Sequence, residues 1–274
     1  VAVHHTMLAV NHHHTIVTPN HKNISCFLHD LHQPMSVLLN ALLKKRGYDP
    51  MGQVFEARHT HRMRLLDPEA MVQHLMYQQM QNVAAGLVKR PEEMPGNAFS
   101  FDDWGSESMV MRLPMRILSA PSCEGQRIGA TDEADERNDI RERFTAPPEL
   151  IALFDGDRAK LRYSMVRQER ETLAAMHDVR RMRARSEGRQ RARYRGAEAV
   201  LRIHPYDEPR TPPEPHAEIV PTFRVGASGE EGRRLRILAG QDIQAFRDAN
   251  RECSIRWRKG ERDVVFPYGT DLLE

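Results

Sequence analysis

The chain has 274 residues, of which 40% are apolar and 28% charged, with a formal net charge of +2; these values fit a globular protein of one large or two ordinary domains. No apolar run approaches the roughly twenty residues needed to span a bilayer, so no membrane segment is expected. Three scattered cysteines, Cys26, Cys123 and Cys253, form neither a disulfide framework nor a zinc spacing, and a reducing cytoplasm is the expected location. The opening Val1-Ala2-Val3-His4 has no signal-peptide pattern, and the chain is expected to begin within a domain. Residues 3–10 and 12–18 then read as β-strands, ended by Pro19-Asn20. Asn23 is placed to cap a helix whose apolar positions Ile24, Phe27, Leu28, Leu31, Met35, Leu38, Leu39 and Leu42 recur at helical spacing; Pro34 should kink it, and its apolar face should pack on a sheet.

Residues 52–66 alternate loosely and predict one or two short strands. Asp67-Pro68-Glu69 has the N-cap, first-position proline and first-turn acid of a second helix, with Met71, Val72, Leu75, Met76, Met80 and Val83 as its apolar stripe. At about 100° per residue, His74, Tyr77 and Gln81 project away from that stripe. The predicted organisation is a catalytic domain over 1–105, a linker over 106–148 containing the acidic run 132–142, and a basic helical region over 149–203 interrupted at Gly188. A proline-rich connector over 204–234 follows, then a C-terminal helix (241–257) and tail over 235–274, with a short strand at 262–267.

Eleven of the fourteen histidines fall in the first seventy-seven residues, and three stand together in Asn11-His12-His13-His14. A strand sends alternate side chains to opposite faces, so His12 and His14 point together while His13 points away. Two neutral imidazoles on one face can hold a metal ion, although such a pair can equally be a surface cluster. Gln81, one turn after Tyr77, can add a carbonyl oxygen as third ligand. A free tyrosine phenol ionises near pH ~10, so forming phenolate at neutral pH costs about 4 kcal/mol; a cation at an adjacent phosphodiester favours attack by Tyr77. His59 and His61 form a second His-x-His pair with no matching nucleophile, flanked by Arg58 and Arg62, which are candidate phosphate contacts. His29-Asp30-Leu31-His32-Gln33-Pro34 superficially matches a sensor-kinase phosphoacceptor box, but no glycine-rich ATP lid follows, and packing explains its leucines.

Two segments carry a family likeness. Asn11-His12-His13-His14-Thr15-Ile16-Val17 resembles the Asn-His-x-His strand of single-tyrosine HUH transposases. The stretch Tyr77-Gln-Gln-Met-Gln-Asn-Val-Ala-Ala-Gly-Leu-Val88 resembles the tyrosine helix of their REP-associated branch, Tyr-x-x-x-Asn-Pro-Val-x-Ala-Gly-Leu-Val. Lys89-Arg90-Pro91-Glu92-Glu93-Met94-Pro95-Gly96 is similar to that branch's exit from the helix, Gly52-Gln53-Val54-Phe55-Glu56-Ala57-Arg58 to its Gly-x-x-Phe-x-x-Arg element, and 260–270 to the tail of long members. The chain departs from the pattern at Gln81-Asn82, where the family has Asn-Pro, and at Met94, where it has tryptophan. A strand and helix that the family places ahead of the His-x-His strand are expected to be missing here.

The resemblance implies an α+β fold with a ferredoxin-like HUH nuclease core on an antiparallel sheet, followed by a mostly helical extension. It also implies a homodimer, a divalent metal (Mg or Mn), and cleavage and rejoining of single-stranded or hairpin DNA. By that matching, His12, His14 and Gln81 take the metal and Tyr77 becomes joined to a 5′ phosphate. The alternative expectation is a degenerate relative that binds nucleic acid without cutting it. Either reading uses the arginine-dense stretch 180–195, eight arginines against Glu187 alone; Arg180, Arg181, Arg183, Arg185, Arg189, Arg191 and Arg193 are the candidate phosphate contacts.

Overall fold

The computed structural model describes residues 1–9, 12–19, 24–55, 61–96, 99–105, 109–112, 139–142, 144–207 and 222–267. Asn11, Asn23, Arg58, His59, most of the acidic run and residues 208–221 of the proline-rich connector lie outside them. The architecture is α+β. Strand β1 (Ala2–Leu8) pairs antiparallel with β2 (His13–Thr18), and the register slips between Val3 and His5. That irregularity is a β-bulge, which lets the successive residues His4 and His5 both turn inward and become buried.

Helix α1 (Ile24–Lys45) runs through Pro34 and ends in Lys44 and Lys45. Its expected packing on a sheet is not observed: Leu43 is its one buried residue, and Val37, Leu39 and Leu42 are exposed. Among the described residues of 52–66 the strand is β3 (Arg64–Leu65), whose partner is the parallel β6 (Phe223–Arg224) from the far end of the chain. Helix α2 (Pro68–Ala84) begins at the Asp67 cap, whose Oδ1 accepts from the Ala70 amide at 2.8 Å. Two 3-10 turns, Pro91–Glu93 and Phe101–Asp103, follow, and then β4 (Met109–Arg112) pairs antiparallel with β5 (Asp139–Glu142).

The extension contributes α3 (Pro148–Ala152), α4 (Arg158–Ser186), α5 (Ala197–Leu201) and α6 (Gly229–Arg258). Helix α4 ends at Ser186, beside the interruption expected at Gly188, which takes φ +71° as the chain leaves the helix. Helix α6 starts twelve residues before the expected position, and 262–267, expected as a strand, is not one.

Two apolar clusters hold the elements together. Leu75 and Met76 of α2 meet Phe99, Phe101 and Trp104, then Ala146, Leu150, Leu161 and Met165 from beyond residue 140. Val83 and Val88 pack with Met94 and Val200. Both cores therefore draw on either side of 106–138, and α2 is the element they share. Trp104 fixes β1 to this core by donating its indole N–H to the His4 carbonyl at 2.8 Å. The sheets among the described residues are two-stranded, so the ferredoxin-like sheet is not reproduced in them.

Candidate active site

Helix α2 crosses the β1–β2 hairpin and brings one of its faces to the mouth of the turn. The Ala9 amide donates to the His12 carbonyl at 2.8 Å, which closes the hairpin, and His14 lies opposite Met7 in the ladder. The rings of His12 and His14 stand edge to face, 5.0 Å between centroids. The Gln81 amide nitrogen donates to His12 Nε2 at 2.8 Å. One turn earlier, Tyr77 is 55% exposed, with its ring 6.1 Å from that of His14 and 6.2 Å from that of His74. His12, His14, Tyr77 and Gln81 thus share one place, although His12 is 65 residues or more from the helix pair in sequence.

Two polar atoms at this place are buried and without a partner: His14 Nε2 and Gln81 Oε1. Each such atom costs about 1–3 kcal/mol if nothing satisfies it. With the His14 proton on Nδ1, both atoms are electron-pair donors, and a cation between them would satisfy the pair. Burial, then the charges of His12 and His13, push the His14 pKa down to about 4 against a smaller opposing effect of Gln81; its lone pair is therefore free at neutral pH. Among the described residues no three His, Cys, Asp or Glu side chains converge, so a third donor to an ion held by the two imidazoles would be the Gln81 amide oxygen rather than a carboxylate. Two imidazoles and an amide form an uncharged set, which would leave the full charge of a divalent ion to act on an anionic ligand. The donors fit Mg, Mn or Zn.

The other side of α2 is bolted to β1 by buried polar groups. His5 Nε2 lies 2.9 Å from Gln79 Oε1 and Nδ1 lies 3.1 Å from Gln78 Oε1. Gln79 Nε2 donates to Glu169 of α4 at 2.8 Å, and Asn82 Nδ2 donates to the Leu8 carbonyl at 3.2 Å. Burial drives the His5 pKa down to about 4, so the ring carries one proton. Because Glu169 fixes the orientation of Gln79, that proton sits on Nε2, and the Gln78 amide must offer its nitrogen to Nδ1. Burial also raises the Glu169 pKa, opposed by the Gln79 amide. Sequence reasoning missed His5, Gln78, Gln79, Asn82 and Glu169; the one legible signal was a pair of glutamines beside apolar stripe positions.

The arginines divide by role. Arg180 donates to the Ala84 carbonyl at the end of α2, and its guanidinium lies 5.1 Å from the centre of the Tyr194 ring. Arg181 pairs with Asp178, and Arg183 and Arg189 both pair with Glu187. Arg185, Arg191 and Arg193 are exposed. Arg62 is half-buried ahead of β3. Arg224 of β6, with His61, lowers the pKa of His74, whose ring neighbours that of Tyr77, after the larger effect of burial. Nothing local in the sequence connects Arg224 with Tyr77. No helix among the described residues is long and apolar enough to cross a membrane. No protein-family model matches the chain, and no curated protein or solved structure matches it.

Proposed function

We propose that the chain is a transposase-like DNA strand transferase of the single-tyrosine HUH kind, using a divalent metal (Mg or Mn) on single-stranded or hairpin DNA. The observation that carries this reading is the meeting of Tyr77 with His12, His14 and Gln81 around two unsatisfied electron-pair donors. A ferredoxin-like ancestry, a homodimer and a cytoplasmic location belong to the same reading; exposed Val37, Leu39 and Leu42 on α1 suit a second subunit, and the free thiols Cys26 and Cys253 suit a reducing compartment.

His12, His14 and Gln81 would hold the ion, which when bound supplies charge stabilisation to the phosphate. The Tyr77 hydroxyl oxygen forms a bond to phosphorus as the bond from phosphorus to the 3′ oxygen breaks. His74, kept neutral by burial and by Arg224, stands against the Tyr77 ring to take the phenolic proton and return it to the departing 3′ oxygen. Attack by a 3′ hydroxyl on the phosphotyrosine reverses the step, so rejoining needs no nucleotide cofactor.

The test is attachment of end-labelled hairpin or single-stranded DNA to the full chain, read on a denaturing gel with Mn or Mg. We expect a protein–DNA adduct that disappears with Tyr77→Phe, and with His12→Ala combined with His14→Ala. Retention of the adduct in Tyr77→Phe overturns the nucleophile; DNA binding by the wild type without any adduct overturns catalysis and leaves the binding-only alternative.

A further inference from the structure

The middle histidine of the triplet faces away from the candidate active site and meets α1. His13 Nε2 lies 3.4 Å from His32 Nε2, the rings are edge to face with centroids 5.1 Å apart, and His32 stacks on Phe55 at 4.3 Å with only 16° between planes. His13 also lies edge-on to Phe55 at 5.5 Å. Two ring nitrogens are thus aimed at one another in a pocket walled by an aromatic ring. A separation of 3.4 Å is longer than the ~2.7–3.2 Å of an ordinary nitrogen-donated hydrogen bond. It equals the span of about 3.3–3.4 Å between two ligands held at ~2.0–2.1 Å and a tetrahedral angle on one zinc ion.

We propose that His13 and His32 form a second metal site, distinct from the His12–His14–Gln81 site, that takes a borderline ion with a preference for imidazole, zinc above all. Each ring enters as its neutral tautomer with the proton on Nδ1, so one ring shifts tautomer and no net proton is released. Among the described residues no third His, Cys, Asp or Glu converges, and the remaining positions go to water or an external donor. Magnesium, which prefers oxygen ligands, is excluded by the donor set. The site is a clamp as well as a ligand set, because α1 buries only Leu43 and meets β2 at the His13–His32 contact. An ion there fastens α1 to the strand that carries His12 and His14.

The experiment uses the metal-free full chain and zinc alone, with magnesium as control, and reads stoichiometry by calorimetry and melting temperature by calorimetric scan. The measurements are made on the His12→Ala, His14→Ala protein, in which the other candidate site is removed. Zinc is expected to bind there at one equivalent and to raise the melting temperature, and magnesium to do neither. Adding His32→Ala or, separately, His13→Leu should abolish that equivalent and that rise. No zinc-dependent rise in the His12→Ala, His14→Ala protein overturns the proposal, and so does a rise that survives either added substitution; two independent substitutions keep the test open if one variant fails to fold. Covalent attachment through Tyr77 is not read here, so failure of the clamp and failure of the strand-transfer reading remain separate results.

Discussion

His5 shows how a residue far from any chemistry governs the geometry of the candidate site. Its two ring nitrogens meet the amides of Gln78 and Gln79, the very residues that follow Tyr77, so β1 sets the rotation of α2 and with it the direction of the phenol. The neutral ring is what the fold binds: its pKa falls from 6.5 to about 4, with burial the main cause. Between those values the unfolded chain takes up a proton that the folded chain refuses, so stability present above pH 6.5 is lost as pH falls through the window, reaching about 3 kcal/mol near pH 4. His4 and His74 are shifted in the same direction, chiefly by burial, and add to the loss. Urea midpoints at pH 7 and pH 4.5 should therefore diverge more for the wild type than for His5→Leu; an equal divergence would remove His5 from the account. At this scale the exposed face of α2 could be read from helical periodicity, because Tyr77, His74 and Gln81 needed only the 100° rotation rule. Gln78, Gln79 and Asn82 could not, since a polar residue looks alike whether it meets water or a buried imidazole 70 residues away.

Helix α2 is fixed at both ends by segments remote in sequence. At its start Asp67 caps Ala70 with one carboxylate oxygen and accepts from the Gly226 amide with the other at 2.8 Å. A Cβ at Gly226 would lie 2.4 Å from the Ala70 amide nitrogen and 2.7 Å from the Glu69 carbonyl carbon, both backbone atoms that no rotamer change can clear. At its end, Gly86 at φ +74° lets the chain turn under the Arg180 guanidinium, and the Gly86 and Leu87 carbonyls accept from Arg195 and Gly196. Gly226→Ala should cost more than about 2 kcal/mol by forcing β6 and the α2 start apart, as overpacked sites do. Gly240→Ala on exposed α6, where nothing lies within 4 Å, should instead stabilise by about 0.5–1 kcal/mol. Denaturant unfolding of the two variants decides the matter: equal effects would mean that the Gly226 contact carries no strain. The α2 start was legible because capping is local chemistry within four residues. The parallel pairing of β3 with β6 was not, because two residues at each of two places about 160 apart leave no periodic trace. The early start of α6 was obscured by Gly232 and Gly240: Gly240 is exposed and tolerated at modest cost, whereas Gly232 is buried against the Ala227 carbonyl, a contact no local pattern announces.

At the scale of the whole molecule, the N-terminal and basic regions are not independent bodies in their packing, because α2 places Leu75 and Met76 in one mixed core and Val83 in the other. This joins the arginine-rich stretch to the candidate site mechanically, and it also divides the arginines into those that hold the fold and those that face water. Arg180 closes the end of α2, while Arg181, Arg183 and Arg189 already have carboxylate partners. A count of eight positive charges read from sequence therefore overstates the charge available to a polyanion, since composition cannot distinguish a paired arginine from a solvated one. Of the candidate phosphate contacts, Arg185, Arg191 and Arg193 are exposed and make no such carboxylate pair among the described residues. If these three meet single-stranded DNA, replacing all of them with serine should weaken binding and reduce the slope of log affinity against log salt by about 2, at roughly 0.7 per phosphate contact. Arg180→Ala should lower the melting temperature while leaving that slope nearly unchanged. Fluorescence anisotropy with a labelled oligonucleotide at several salt concentrations measures both, and a triple variant with the wild-type slope would show that these arginines keep the protein in solution without gripping nucleic acid.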